Sequence, residues 1–363
     1  MSLIQPTRDV YSQGQTIISG AGATFPYPLI DTLRAEYERT NPNVAIDYQD
    51  IGSGGGVQKF VEKSVDFSAT DAPLTLQEVQ DAGSSVVHIP ETIGSVAIAY
   101  NIPSVKQLSP ESSIKLNLTG SVIADIFLGN IRKWNDRNIT NLNPGIELPD
   151  EFIQVVHRAD SSGTTFVLTD YLSSSNSQWK DQIGKDKSVD WPTGLSADGN
   201  EGVSNLVAGT DNSIGYVELV YALAAGLRYA NIQNQAGNFI EPTLNSVSAA
   251  VGARSSDLPA SGDEPWNNVT LVDSPGPDSY PVASFSYLLL YKDLGTNPNI
   301  DQRKAQELVD FISWAINDGQ RFAPELYYVP LPDQIVRINN RTLQSLVFNG
   351  KSIDSISTSN QSS

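Results

Sequence analysis

The sequence predicts an α/β protein of two lobes with a ligand cleft between them, and three observations carry that expectation. The chain has 363 residues, beyond the length at which one hydrophobic core usually goes on growing, so two domains are expected. Its N-terminal part alternates β-branched runs with helical spacing in a βαβαβ order, which places ligands at the carboxyl ends of the strands. Finally, three stretches each end a strand, pass through small hydroxyl or glycine residues and open a helix. They are Gly20-Ala21-Gly22-Ala23-Thr24-Phe25-Pro26, Gly52-Ser53-Gly54-Gly55-Gly56 and Arg158-Ala159-Asp160-Ser161-Ser162-Gly163-Thr164-Thr165. A helix start offers unpaired N–H donors and the positive end of the helix dipole, so three such turns, one holding Arg158, outline a pocket for a small oxyanion.

The elements follow in order. Thr16-Ile17-Ile18 is a short strand leading into the first glycine turn. A helix is expected at 28–40, because Leu29, Ile30, Leu33 and Tyr37 share one face. Pro26 and Pro28 stand where a helix start tolerates proline, and Asn41-Pro42-Asn43 ends it. Strand 44–48 leads to the second glycine turn and a short helix 57–63 with Val57, Phe60 and Val61 inward. Strand 66–71 ends on the carboxylate of Asp71. The apolar stretch 86–102 is extended and placed to carry the chain between lobes. Helices 121–128 and 135–141 flank Gly129-Asn130-Ile131-Arg132-Lys133-Trp134. Strand 153–156 delivers His157 and Arg158 to the third turn; helices 165–172 and 202–208 and strand 213–217 follow. Residues 253–281, rich in Ser, Pro, Gly and Asp around Trp266, read as a long connection. Strand 282–291 returns to the first lobe, and 302–317 is an amphipathic helix with Leu308, Phe311, Ile312 and Ala315 on one side. Residues 1–14 read as a loose leader and 352–363 as a disordered polar tail. The lobes are expected at 1–92 with 283–363, and at 93–282, joined so that they close like a hinge.

Composition narrows the function. Hydrophobic residues make up 39% of the chain, enough for a globular core, and no run approaches the ~20 apolar residues of a membrane span. The net charge of −18 argues against nucleic acid or an anionic membrane as partner. Its conflict with an anionic ligand is mild, since surface carboxylates are screened over roughly 10 Å in ordinary saline. There is no cysteine, which excludes disulfides, thiol catalysis and cysteine metal sites. The two histidines, His88 and His157, lack metal-ligand spacing and read as structural or solvent-facing. No metal or cofactor is expected. Met1-Ser2-Leu3-Ile4-Gln5-Pro6 has neither the charged nor the apolar region of a signal peptide.

Each candidate site residue also has a plainer reading. Thr24 and Ser53 stand at helix starts, where capping alone favours Thr and Ser. Gly52, Gly54, Gly55 and Gly56 suit either a flexible loop or a backbone that approaches a ligand closely. Arg158 and Asp160, two residues apart on an extended run, suit an ion pair that leaves other guanidinium N–H groups for an oxyanion. Asp71 either caps the helix that starts near Leu74 or faces the ligand. A carboxylate beside an anion is favourable only when that anion carries a proton to donate, as phosphate does and sulfate does not; the sequence leaves these two readings even. Ser162 lacks the Gly-x-Ser-x-Gly context of a hydrolase nucleophile, and Gly350-Lys351-Ser352 lacks the earlier glycine of a nucleotide loop.

At these turns the chain closely resembles the solute-binding proteins of phosphate-specific ABC importers. The matching stretches are the first turn, Ile51-Gly52-Ser53-Gly54-Gly55-Gly56-Val57, Val65-Asp66-Phe67-Ser68-Ala69-Thr70-Asp71-Ala72-Pro73-Leu74, and the third turn through Phe166. Phe127-Leu128-Gly129-Asn130-Ile131-Arg132-Lys133-Trp134-Asn135-Asp136 and Ile214-Gly215-Tyr216-Val217-Glu218 match as well, so the resemblance runs from about residue 16 to about residue 335. It implies a type II periplasmic-binding fold that closes over one dehydrated phosphate. It also implies that Thr24, Phe25 and Ser53 donate from one wall, that Asp71 accepts the phosphate proton, and that Arg158 makes the charged contact. Asp160 then positions the arginine and counts with it among the ligand-binding residues, while Ser162, Gly163 and Thr164 complete the donors.

On that resemblance the chain is a monomeric, extracytoplasmic receptor that passes inorganic phosphate to a membrane permease and is not an enzyme. The rivals are a phosphoryl-transfer enzyme or phosphatase, for which no general base, metal cluster or activated nucleophile is evident, a receptor for sulfate or another oxyanion, and a structural or adhesion protein that has kept the fold. The chain departs from the family pattern where a second serine often follows Ser53, and where His157 replaces a frequent basic neighbour of Arg158.

Overall fold

The computed structural model describes residues 14–108 and 112–353. Nearly all of the expected leader 1–14 and polar tail 352–363 lies outside the described residues. The chain opens with strand β1 (Thr16–Gly22), helix α1 (Tyr27–Thr40) and strand β2 (Val44–Gln49), which pairs parallel to β1. The α1 residues Leu29, Ile30, Leu33 and Tyr37 are buried, as their spacing requires, and Pro28 sits in its first turn. Strand β3 (Phe67–Thr70) then pairs parallel to β1 on its other side.

Helix α2 spans Ser53–Val61, starting four residues before the expected position. Gly54, Gly55 and Gly56, for which the sequence allowed a flexible loop, are in its first turn. Packing is the reason: a side chain on Gly56 would collide with the Cα of Gly22 in β1, and one on Gly54 with Ser161. Gly52 precedes the helix at φ 82°, a conformation that glycine adopts at little cost.

Strand β4 (Val86–Asn101) is fully extended for 16 residues and buried along all but its last residue. Its first part pairs antiparallel with β8 (Ala283–Tyr291) and its last six residues pair antiparallel with β7 (Ser213–Glu218). One strand therefore belongs to both halves of the molecule. Beyond β7 lie β5 (Gln154–Arg158) and β6 (Leu195–Ala197), both parallel to their neighbours. The resulting order is β2-β1-β3-β8-β4-β7-β5-β6.

Helices cover the faces. Between α2 and β4 runs α3 (Leu76–Ala82); the second half carries α4 (Gly120–Phe127), α5 (Gly163–Ser175), α6 (Gly199–Ala208) and α7 (Leu244–Ala253). The chain returns with α8 (Gln302–Ile316) and α9 (Asp333–Gln344). Leu308, Phe311, Ile312 and Ala315 of α8 are buried as expected. The long connection after α7 lies against the first half: the His88 N–H donates to the Gly262 carbonyl at 2.8 Å, and the Trp266 ring packs edge-on to Tyr287. Its serine, proline and glycine content made it legible as a connection, while Trp266, 1% exposed, is what anchors it.

Candidate functional site

The carboxyl ends of β1, β3 and β5 converge on one place. Thr24 and Phe25 follow β1, Ser53 opens α2, Asp71 follows β3, and Arg158 ends β5 just before Asp160 and the start of α5. All six belong to the residues singled out in the sequence. Two walls result, one from each half, and they touch directly.

Ser53 is fully buried, and its Oγ accepts the N–H of Gly163 from the opposite wall at 3.1 Å and that of Asp71 at 3.3 Å. The Gly54 N–H donates across to the Ser161 carbonyl at 2.9 Å. Gly163 must be glycine, since a side chain there would strike the Asp71 carboxylate and the Ser53 hydroxyl. Ser162 caps α5 through its Oγ, which accepts the Thr165 N–H at 3.1 Å, so its hydroxyl serves the helix first. Phe25 sends its ring into the core beside Tyr328, whose hydroxyl donates to the Phe25 carbonyl at 2.6 Å. Thr24 accepts on its Oγ1 from the Asn200 side chain at 2.8 Å, and the same amide donates to Thr164 Oγ1 at 3.1 Å.

Arg158 is buried and gripped by Asp160: Nε donates to Oδ1 at 2.6 Å and Nη2 to Oδ2, a forked pair. Its Nη1 reaches Thr164 Oγ1 at 3.4 Å. Burial alone would raise the Asp160 carboxyl, but the Arg158 hydrogen bonds and charge, with the Gly199 N–H, hold it below the usual range. The arginine is thus locked in one orientation with one end facing the Thr164 side.

Asp71 decides between its two readings. Helix α3 is capped by Thr75, whose hydroxyl accepts the Glu78 N–H while the Glu78 carboxylate accepts that of Thr75. Asp71 therefore does not cap α3. Its side chain is buried instead between Ser53, Gly163 and Ser286, accepting from Ser286 Oγ at 2.9 Å. Burial pushes its pKa up to about 7, against the lowering influence of Ser286, Arg158 and Ser53. A cavity of about 510 Å³ opens beside it between the walls, with Leu74, Phe285 and Tyr287 on one side and Phe166 and Lys185 on the other.

Neither histidine reaches this place. His88 is buried and its Nε2 accepts the Leu74 N–H at 3.1 Å; burial pushes it down to about 4, so it is neutral. His157 stacks on Trp191 with ring centroids 5.0 Å apart. Among the described residues no group of His, Cys, Asp or Glu is arranged to hold a metal ion, and no helix is long and apolar enough to cross a membrane.

With this geometry in view, kinship is direct. Residues 9–318 match the PBP superfamily domain. The chain is 40% identical over 338 residues to the phosphate-binding protein PstS of Pasteurella multocida, covering 93% of this chain and 92% of that one. The chain belongs to the PstS family. The PstS of Xylella fastidiosa strain 9a5c is 41% identical over 320 residues, covering 88% of this chain and 83% of the relative. Among solved structures, a phosphate-binding protein from Stenotrophomonas maltophilia superposes with a TM-score of 0.66 at 18% identity, over 90% of this chain and 94% of that one. A high-affinity periplasmic phosphate-binding protein, solved with phosphate at pH 8.5, gives 0.64 at 20% identity, over 92% and 99%. The PstS-family chain has the type II periplasmic-binding fold.

Four residues of this PstS-family site escaped the sequence reading. Asn200 joins Thr24 to Thr164 from the start of α6, after a turn through Asp198 and Gly199, where Gly199 has φ 68°. That small-residue turn before a helix was the available signal. Tyr221 donates to the Thr24 carbonyl at 2.7 Å, and Ser286 and Glu91 lie behind Asp71. Tyr221 lies on the helix Leu219–Ala224, and the strands of Ser286 and Glu91 pair across the sheet from distant parts of the chain, so no local pattern marks them.

Proposed function

We propose that this chain binds inorganic phosphate between its two walls and delivers it to the permease of an ABC-type importer. Membership of the PstS family supports the ligand and the delivery. The walls are assigned to lobes 1–92 with 283–363, and 93–282, and closure of the two over the anion is the signal that a permease reads. The receptor acts as a monomer outside the cytoplasm and performs no chemistry on its ligand.

In this reading Thr24, Phe25 and Ser53 donate from one wall and Ser162, Gly163 and Thr164 from the start of α5, where the helix dipole favours an anion. Arg158, oriented by Asp160, supplies the charge. Asp71 accepts the proton that phosphate carries, and so turns away sulfate, which has none at neutral pH. The observation that carries this is the placement of Asp71: buried among hydrogen-bond donors, within reach of Gly163, and with no helix to cap. An acceptor facing an unprotonated oxyanion leaves a buried charge without a partner, at a cost of roughly 1–3 kcal/mol or more.

The test is calorimetric titration of phosphate and then sulfate into protein unfolded and refolded to remove bound ligand. Tight one-to-one binding of phosphate with no heat from sulfate is expected. Equal binding of both would end the role given to Asp71, and binding of neither would end the receptor reading.

A further inference from the structure

Behind Asp71 lies a second buried carboxylate that the phosphate reading does not use. Glu91 is 3% exposed and sits in β4, at the point where its pairing with β8 slips by one residue: Ser286 stands opposite Thr92, and Tyr287 opposite Pro90. Glu91 is the extra residue of a β-bulge, a device that re-aims a side chain within a sheet. Pro90 brings no N–H to the ladder. The carbonyls of the bulge are held from outside it: the Asn339 side chain donates to Pro90 O at 2.6 Å and that of Gln320 to Glu91 O at 3.0 Å. The bulge is thus built in, and it aims the Glu91 carboxylate at Ser286, with Oε1 at 3.2 Å from Oγ. The same Oγ is 2.9 Å from Asp71 Oδ1.

One hydroxyl carries one hydrogen, and here it stands between two carboxylates. If both were ionised, one would lack a donor, and two buried charges would face each other across a single oxygen. We propose that Glu91 is a positioning residue for the anion site: its carboxyl keeps a proton and donates it to Ser286, Ser286 donates to Asp71, and Asp71 is thereby held as an acceptor toward the ligand. The opposite polarity would put the proton on Asp71 and make it a donor, the arrangement suited to an unprotonated oxyanion. This inference rests on phosphate binding at Asp71.

The surroundings favour the first polarity. Asp71 is drawn toward its charged form by Ser286, Arg158 and Ser53, whereas Glu91 has only Ser286 and is opposed by Asp71. Burial lifts Glu91 as well, to about 8, and no cation beside it offsets that. The other titratable groups on the packed elements carry no compensating charge. Tyr48 of β2, Tyr287 of β8 and Tyr328 are pushed upward by burial and stay neutral; His88 on β4 is neutral too. Glu218 of β7 is itself raised by burial and caps the helix Leu219–Ala224 through the Val220 N–H at 2.7 Å. No ion pair to Glu91 is found among the described residues.

The experiment is calorimetric titration of phosphate at pH 7 and pH 9, in two buffers of different ionisation heat, with the wild type and Glu91→Gln. At pH 9 the free wild-type protein has lost the Glu91 proton and must regain it on binding. Close to one proton taken up per phosphate is expected, with affinity falling about tenfold per pH unit above 8. The glutamine amide donates to Ser286 at every pH, so the variant should take up no proton and lose no affinity on this limb. An infrared difference spectrum of the phosphate complex at pH 7 with no protonated-carboxyl band that Glu91→Gln removes overturns the proposal, and so does an equal slope in a folded Glu91→Gln. Failure of the wild type to bind phosphate at pH 7 overturns the receptor reading along with it, which separates the two.

Discussion

The Ser53 hydroxyl accepts the Gly163 N–H at 3.1 Å, across a sequence separation of 110 residues. It ties the first turn of α2 to the first turn of α5, so the two helix starts face one another with Asp71 between them. That oxygen is the point at which the two walls are read against each other. Ser53→Ala leaves the N–H groups of Gly163 and Asp71 without this acceptor in buried surroundings, a loss of roughly 1–3 kcal/mol. Phosphate affinity is expected to fall by about 10- to 100-fold, as titration calorimetry would show; a change within twofold would remove Ser53 from the site.

Asp71→Asn replaces an acceptor by an amide that can also donate. The variant should bind phosphate more weakly and admit sulfate as a competitor. Displacement of bound phosphate by sulfate, followed by equilibrium dialysis, checks this. A variant that rejects sulfate as the wild type does would show that discrimination lies elsewhere.

Arg158→Lys keeps the charge and loses the fork. The guanidinium spans both oxygens of Asp160, which a lysine ammonium cannot do from a single nitrogen. A charge-assisted hydrogen bond contributes ~1.5–3 kcal/mol, so phosphate affinity should drop by one to two orders of magnitude. Asp160 should in turn titrate nearer its ordinary value, visible in carboxyl NMR shifts.

Gly56→Ala tests the close approach of α2 to β1. The added methyl meets the Gly22 Cα, which has no rotamer through which to yield. Overpacking of this kind costs roughly 1–3 kcal/mol, and a lower urea midpoint with an unchanged slope is expected. An unchanged midpoint would mean that the helix shifts freely and that the glycine serves another end.

His88 supplies a pH dependence of stability. Its pKa is about 4 when folded against an ordinary 6.5, because burial penalises the charged ring. The unfolded chain therefore binds the proton more readily, so the contribution is complete above pH 6.5 and is lost as pH falls toward 4. The full difference is about 3 kcal/mol. Relative to wild type, His88→Gln should show a shallower loss between pH 7 and pH 5 in urea unfolding. Parallel curves would show that His88 titrates normally.

Much of this molecule was legible in its sequence, and the parts that were not share a cause. Helices α1 and α8 declared themselves through apolar spacing, and β4 through its length without a break. The three turns could be read because a glycine or hydroxyl before a helix has few other uses. The start of α2 was misplaced because glycine is a poor helix former, and only contact with Gly22 explains why it is used there. The capping reading of Asp71 fell to Thr75, which caps α3 one turn of chain further on. Ser286 and Glu91 were missed because they meet the site through sheet register, and a bulge leaves no mark on composition; Asn200 stood behind a turn of small residues like the other three, and was passed over.

One strand, β4, carries ladder bonds in both halves of the sheet, and the exchange of partners falls between Ser95 and Val96. A rotation of the walls relative to each other would twist this hydrogen-bonded ribbon together with the second crossing at 282–283. Such a joint behaves as a spring, with a rest angle and a restoring torque, where a stretch of loose chain would swivel freely. Torsion of that ribbon would be resisted by the ladder bonds along both of its edges.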